Sequence, residues 1–215
     1  MFDMIVLGAT FAAAGIAHQY KEKCLVIERR APAGYEFFGA LHFAVDETVI
    51  YSYFKSSPTL FCTELISVEE TENGFACVTH GVNGYYTYYA KKVIDTRCNA
   101  EMSLSKTYNL LIDSKEVPTF SKGFWEKANG GNRYILYCPV PLSCGYAEAR
   151  AEAEKILAQF SETQQVILSA HEFDYRVKEG YPKTENGILY LPSKAYTHPD
   201  LAFEAGLGIG EEATK

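Results

Sequence analysis

Residues 4–13, MIVLGATFAA, followed at 24–30 by CLVIERR, decide what kind of fold this chain adopts. The apolar run Met4 to Leu7 has the length of a buried strand, and the alanine-rich stretch 10–21 reads as a helix. A second apolar run, residues 24–28, ends in an acid and completes a strand–helix–strand unit. Gly8 supplies the sharp strand-to-helix turn of a dinucleotide-binding G-x-G-x-x-G segment, and Ala13 at its last position is small enough for helix and strand to pack closely. Glu28 stands 20 residues after Gly8 (28 − 8), the spacing at which an acid meets ribose hydroxyls. At the middle position, where glycine lets a pyrophosphate approach the helix N-terminus, stands Thr10. A side chain there crowds a phosphate or donates a hydrogen bond to it. The plainer reading of the segment is an ordinary strand–helix–strand unit with small residues for packing.

At 215 residues the chain is expected to form a single domain over 1–215, with residues 100–142 as a small additional lobe. That length suffices for a core, since chains of this size bury roughly 70% of their extended surface. A formal charge of −7, with no basic run, argues against nucleic acid as a partner. The first residues carry Asp3, lack a basic n-region and are broken by glycines, so they are not expected to act as a signal peptide. No stretch approaches the ~20 apolar residues of a membrane span, so no membrane partner and a cytoplasmic location are expected. The six cysteines (24, 62, 77, 98, 138, 144) form no C-x-x-C and read as reduced core thiols.

Beyond residue 30 comes the loop APAGYEFFGALHF, then an ambiguous segment, 49–61, that suits a short strand or an aromatic-rich loop. A three-stranded antiparallel meander is expected at about 63–70, 75–80 and 85–90, turning at Asn73-Gly74 and GVNG, with a separate strand at 93–95. Residues 100–142 hold few signals beyond Trp125, a Gly130-Gly131 turn and the apolar strand YILYCPV. A helix follows in GYAEARAEAEKILAQF, with Ser143 as its N-cap and a stripe of Tyr146, Ala149, Ala153, Ile156, Leu157 and Phe160. Two more strands are expected at 165–169 and 187–191, and the glycine-rich end, AFEAGLGIGEEATK, reads as a strand end entering a loop or helix start.

The order of these pieces, with Val93-Ile94-Asp95-Thr96-Arg97-Cys98 after the meander and the run from Glu204 to Glu211 late in the chain, resembles the FAD-dependent oxidoreductases of the glutathione-reductase-like superfamily. In that family a meander returns as a strand ending in a motif like V-I-D-A-T-G, and a glycine-rich turn lies beside the flavin. The resemblance covers roughly residues 1–45, 62–100 and 185–213. It implies an α/β, Rossmann-like three-layer FAD/NAD(P)-binding domain. By position it puts a pyrophosphate over Gly8 to Ala13, nearest Thr10 and Phe11, makes Glu28 the ribose acceptor and sets Arg29 beside the adenosine. It places the backbone near Leu65 against adenine, Thr96 at the closing edge, and Gly206, Gly208 and Gly210 at the flavin end. NAD is the alternative dinucleotide, because Glu28 serves either, and the meander favours FAD.

The implied activity is a flavin-mediated redox reaction on a small-molecule substrate, in which the cofactor moves the electrons and no catalytic side chain is assigned. A second expectation, motivated by Thr10 and Cys98 standing where the family has glycine, is a non-catalytic remnant of the same fold serving as a binding or assembly module. Five histidines (18, 42, 80, 171, 198) show no metal-ligand spacing. His42 lies in the loop that passes near the flavin in the family, which makes it an active-site candidate; a histidine satisfied within its loop is the simpler role. The tyrosines of YYTYY offer a homodimer surface or simply cover the sheet.

Overall fold

The computed structural model describes residues 1–42, 47–118, 123–128, 131–161 and 163–212. The chain begins β1 (Phe2–Leu7), α1 (Phe11–Tyr20), β2 (Cys24–Ile27), α2 (Tyr35–Phe38), α3 (Glu47–Phe54) and β3 (Thr59–Leu60). It continues β4 (Glu64–Thr71), β5 (Gly74–Gly81), β6 (Gly84–Asp95), β7 (Ser103–Ser114), β8 (Phe124–Lys127) and β9 (Arg133–Val140). The last elements are α4 (Tyr146–Leu157), β10 (Gln164–Ser169), β11 (Asp174–Val177), β12 (Lys183–Glu185), β13 (Ile188–Tyr190) and α5 (Pro199–Glu212). Two compact units result. Residues 1–34, 44–97 and 179–215 form the first, and residues 35–43 and 98–178 the second, so the segment 100–142 lies within the second unit.

The first unit is built on an eight-stranded sheet whose main path runs β12-β13-β6-β1-β2-β3, with β5 and β4 continuing from β6. Strands β13, β6, β1, β2 and β3 are parallel, and Leu7 of β1 lies level with Ile27 of β2 and Asp95 of β6. Burial on both faces explains why β1 and β2 read as continuous apolar runs rather than alternating ones. Along β1, alternation sends Ile5 and Leu7 to one face, where they join Leu25, Ile27, Phe75, Cys77, Ala90 and Val93 in a core cluster under the meander. Strand β6 serves twice. Its first half pairs antiparallel with β5, and from Ala90 it pairs parallel with β1, so the strand expected at 93–95 is the end of one twelve-residue strand.

Helix α1 is buried from Phe11 to Ala17, which its alanines and Gly15 permit. The reason is α5, packed directly against it. A Cβ on Gly15 would lie 2.1 Å from the carbonyl oxygen of Phe203, and one on Gly206 would lie 2.0 Å from that of Ala12. The C-terminal glycines are therefore not a turn: residues 199–212 are helical, and Gly206 is the point of closest helix approach. Of the ambiguous segment 49–61, the expected short strand is present as β3 (Thr59–Leu60), whereas its first residues belong to helix α3. Its Tyr53 packs its ring 4.4 Å from that of Phe203, so tertiary contact with α5 outweighs the β-propensity of its aromatics.

In the second unit a five-stranded antiparallel sheet runs β10-β7-β9-β8, with β11 also paired to β7. Helix α4 covers it through Ala149, Ala153 and Ile156. Of the expected stripe these three are buried, Leu157 packs on the same cluster at the end of α4, Tyr146 stacks on Phe173 at 4.4 Å, and Phe160 packs from beyond the helix. Its N-cap is Gly145 rather than Ser143, and the Glu148 carboxylate accepts from the Gly145 backbone N–H at 2.8 Å. Four cysteines (24, 77, 138, 144) are buried, whereas Cys62 is exposed and Cys98 only partly covered, correcting the reading of all six as core thiols. Gly130 of the Gly130-Gly131 turn and Phe43 of the 31–43 loop lie outside the described residues. No helix among the described residues is long and apolar enough to cross a membrane.

Candidate functional site

Strand β1 feeds α1 and β2 on one side and borders β6 on the other. The C-terminal ends of β1 and β6 therefore form a topological switch point, the place where open parallel sheets hold their ligands. Gly8 sits there with φ +91°, a left-handed conformation that L side chains rarely adopt. Its N–H donates to the Ile27 carbonyl at 2.8 Å. Thr10 follows in an extended conformation as the N-cap of α1, its hydroxyl accepting from the Ala13 N–H at 3.2 Å. The same hydroxyl donates to Thr96 Oγ1 at 2.8 Å, and Thr96 donates to the Leu7 carbonyl at 2.8 Å. Thr10 is thus a structural cap and a latch to the end of β6, and both hydroxyls are fully buried.

Glu28 lies one residue past β2 and is 1% exposed. One carboxylate oxygen accepts from Ala9 N–H at 2.9 Å and the other from Arg30 N–H at 2.7 Å, with Arg30 Nη1 at 3.9 Å. Burial pushes this carboxyl above its ordinary value, against the opposing pull of the two N–H groups and of the Arg30 and Arg29 charges. The acid expected to meet a ribose thus stands at the Gly8 turn and is bonded to it. Gly34 N–H closes over the same turn, donating to Ala9 O at 2.8 Å.

Of the residues singled out from sequence, the fold gathers Gly8, Thr10, Phe11, Ala13, Glu28 and Thr96 around one turn. Arg29 is exposed beside it. Leu65 packs on the core cluster under the meander. Gly206 belongs to the α1–α5 contact, Gly208 faces open space, and Gly210 lies in the same helix. Arg97 also stands at this turn. A Cβ on Gly8 would lie 2.7 Å from its Cγ, and its guanidinium grips Asp95 through Nε at 2.9 Å and Nη2 at 2.7 Å. The i, i+2 acid–base pair was visible in the sequence; its place against Gly8 was not.

In the second unit His42 Nε2 lies 2.6 Å from Asp174 Oδ2. Behind them Asn109 Nδ2 donates to the Ala40 carbonyl at 2.8 Å and approaches Asp174 Oδ2 at 3.4 Å. The His42 candidate of the sequence is therefore a partnered histidine, and its acid, 132 residues away, carried no sequence signal.

No family model and no curated protein matches the chain. Solved structures do. The anhydrotetracycline hydroxylase OxyS from Streptomyces rimosus superposes with TM-score 0.64 at 11% identity, over 99% of this chain and 62% of its own. An aklavinone-11 hydroxylase in complex with FAD and aklavinone gives 0.60 at 12%, over 97% of this chain and 61% of its own. Glycine oxidase from Geobacillus kaustophilus gives 0.59 at 10%, over 98% and 94%. The chain spans about three fifths of the length of the hydroxylases it matches. At such identities the likeness is one of fold. This chain has the α/β, Rossmann-like fold with an antiparallel meander that it shares with these hydroxylases and with glycine oxidase.

Proposed function

We propose that this chain is an FAD-binding oxidoreductase domain that carries out a flavin-mediated redox reaction on a small organic molecule. One observation carries the reading: at the switch point of the sheet, the Gly8 turn, the α1 N-terminus and the buried Glu28 carboxylate converge, with Glu28 2.9 Å from Ala9 N. Gly8 and the first-turn N–H groups of α1, which helix geometry leaves without intrahelical acceptors, would hold the pyrophosphate. Glu28 would hold the ribose. The bound flavin would supply the electron transfer, and the chain would supply its orientation. The hydroxylase and oxidase folds to which the chain is similar support the flavin over a nicotinamide cofactor.

A second reading, a module of the same fold without the cofactor, is favoured by the occupancy of the turn itself. Thr10 is latched to Thr96, both Glu28 oxygens are engaged by the backbone, and the Arg97 stem lies against Gly8. The experiment separating the two is the absorbance of purified protein before and after mixing with FAD and gel filtration. Retained flavin, released on denaturation, supports the oxidoreductase. A folded parent that retains none, while Thr10→Gly acquires some, refutes it in favour of the cofactor-free module.

A further inference from the structure

We infer that the first unit binds a small organic phosphate in a lysine-lined cleft at the edge of its sheet opposite the Gly8 turn. Parallel strands bring their N-terminal ends together, and here those ends carry cations. Asp3 stands near the start of β1, Lys23 immediately precedes β2, and Lys91 and Lys92 lie where β6 begins to run beside β1. Lys21 and Glu22 follow the end of α1. These residues, with Met4 and Tyr20, line a cleft of about 790 Å³, a size that takes a small organic ligand. At about 3.3 Å per strand residue it lies roughly 17 Å from Gly8, so it is distinct from the turn proposed to hold the dinucleotide. Four lysines against Asp3 and Glu22 leave its lining at +2, in a chain whose net charge is −7. A concave patch of that sign on an acidic protein concentrates anions.

Two features set this cleft apart from a solvated run of lysines. The first is the backbone of Lys21, held at φ +52° and ψ −129°, a conformation that glycine adopts readily and a lysine adopts under strain. Lys21, Lys23 and Lys92 are in no ion pair among the described residues, whereas Lys91 donates to Asp3 Oδ1 at 2.7 Å. That bond, with the Lys23 charge, holds the Asp3 carboxyl below its ordinary value against the effect of burial. Asp3 is thus engaged, and three ammonium groups remain for a ligand. The negative end of the α1 dipole also lies here and opposes an anion, but the Ser57 hydroxyl donates to the Ala17 and Lys21 carbonyls at 2.8 and 2.9 Å and blunts it. The second feature is Tyr20, whose hydroxyl is buried without a hydrogen-bond partner among the described residues. Buried hydroxyls are nearly always paired, so this one lacks an acceptor that a bound ligand would supply. Burial, with the charge of Asp3, pushes the phenol above its ordinary value, so it remains a donor. Ammonium heads, one O–H donor and the apolar surfaces of Met4, the Tyr20 ring and the lysine stems together suit a phosphate monoester on a small organic body.

The test titrates the chain, without added flavin, with phenyl phosphate by isothermal calorimetry, alongside phenol and inorganic phosphate. The parent is expected to bind one equivalent of phenyl phosphate more tightly than either control, with an affinity that falls as ionic strength rises above about 0.1 M. Lys21→Gly weakens binding roughly threefold to tenfold yet raises Tm by about 2–4 °C, because it removes a charge and relieves the backbone. Lys21→Arg, which keeps the charge, keeps the affinity. Lys23→Gln and Lys92→Gln each weaken binding by a similar factor, and Tyr20→Phe, which keeps the ring, weakens it through the lost donor. Lys127→Gln, in the second unit, changes nothing. A parent that shows no saturable binding, or that binds phenol or inorganic phosphate as tightly, overturns the inference. Binding at full strength in the lysine variants also overturns it, because the probe then sits elsewhere, as at the Gly8 turn. Flavin retention is a separate readout: its failure refutes the oxidoreductase reading and leaves all these outcomes unchanged.

Discussion

Substituting alanine at Gly206 and at Gly208, two residues apart on α5, should shift stability in opposite directions. At Gly206 the new Cβ would stand 2.0 Å from the Ala12 carbonyl oxygen and 3.1 Å from Ile16 N. An ordinary C···O contact is about 3.3 Å, so α1 and α5 must separate by about 1.3 Å. No rotamer can absorb this, because the opposing atoms are backbone. A gap of that size forfeits about half or more of the dispersion energy along the interface. The cost belongs at the upper end of overpacking, about 3 kcal/mol, and the better helix propensity of alanine returns up to about 1 kcal/mol. The net loss of about 2 kcal/mol should lower Tm by about 4–8 °C for a chain of this length. Gly208 meets nothing within 4 Å, so Gly208→Ala keeps the propensity gain alone and should raise Tm by about 2–4 °C. Gly15→Ala, whose Cβ would meet the Phe203 carbonyl at 2.1 Å, should cost about as much as Gly206→Ala. The double variant should cost less than the sum, since the helices separate only once. Thermal unfolding followed by circular dichroism decides it. Shifts of the same sign for Gly206→Ala and Gly208→Ala would refute the close-packing argument.

The Thr10 latch makes Thr10→Ala lose an N-cap and leave the buried Thr96 hydroxyl without its donor, a destabilisation of about 2 kcal/mol measurable by urea unfolding. Thr10→Gly, which spares most of the capping loss, should cost less. Because burial raises the folded carboxyl of Glu28, its contribution is fully present below the unfolded value near 4.5 and is lost as pH rises through the folded value. Relative to Glu28→Gln, the parent should therefore lose stability with rising pH in that window, and a constant difference would contradict the assignment. Burial pushes the thiols of Cys24 and Cys138 up to about 12 and that of Cys77 to about 11, so at mildly alkaline pH iodoacetamide should modify exposed Cys62 first. Peptide mass mapping after brief labelling checks that order, and early modification of Cys24 would show that the core opens.

The amino-acid sequence by itself determined β1, α1, β2, the meander and Glu28, because each is a local signal: an apolar run of strand length, a glycine at the turn, an Asn-Gly hairpin, an acid at the strand tip. Helix α4 was legible for the same reason, through the periodicity of Ala149, Ala153 and Ile156. What tertiary structure decided lies where two readings were locally equivalent. The aromatics of α3 suit a strand as well as a helix until Tyr53 meets Phe203. The glycines at 206–210 suit a turn as well as a helix until α1 approaches within a backbone's breadth. Thr10 looked like an obstacle to a phosphate, and only the arrival of Thr96 from 86 residues away made it a cap with a partner. The pairing of His42 with Asp174, and of Arg97 with Gly8, needed the whole chain folded, since a contact between distant residues leaves no periodic trace in one sequence.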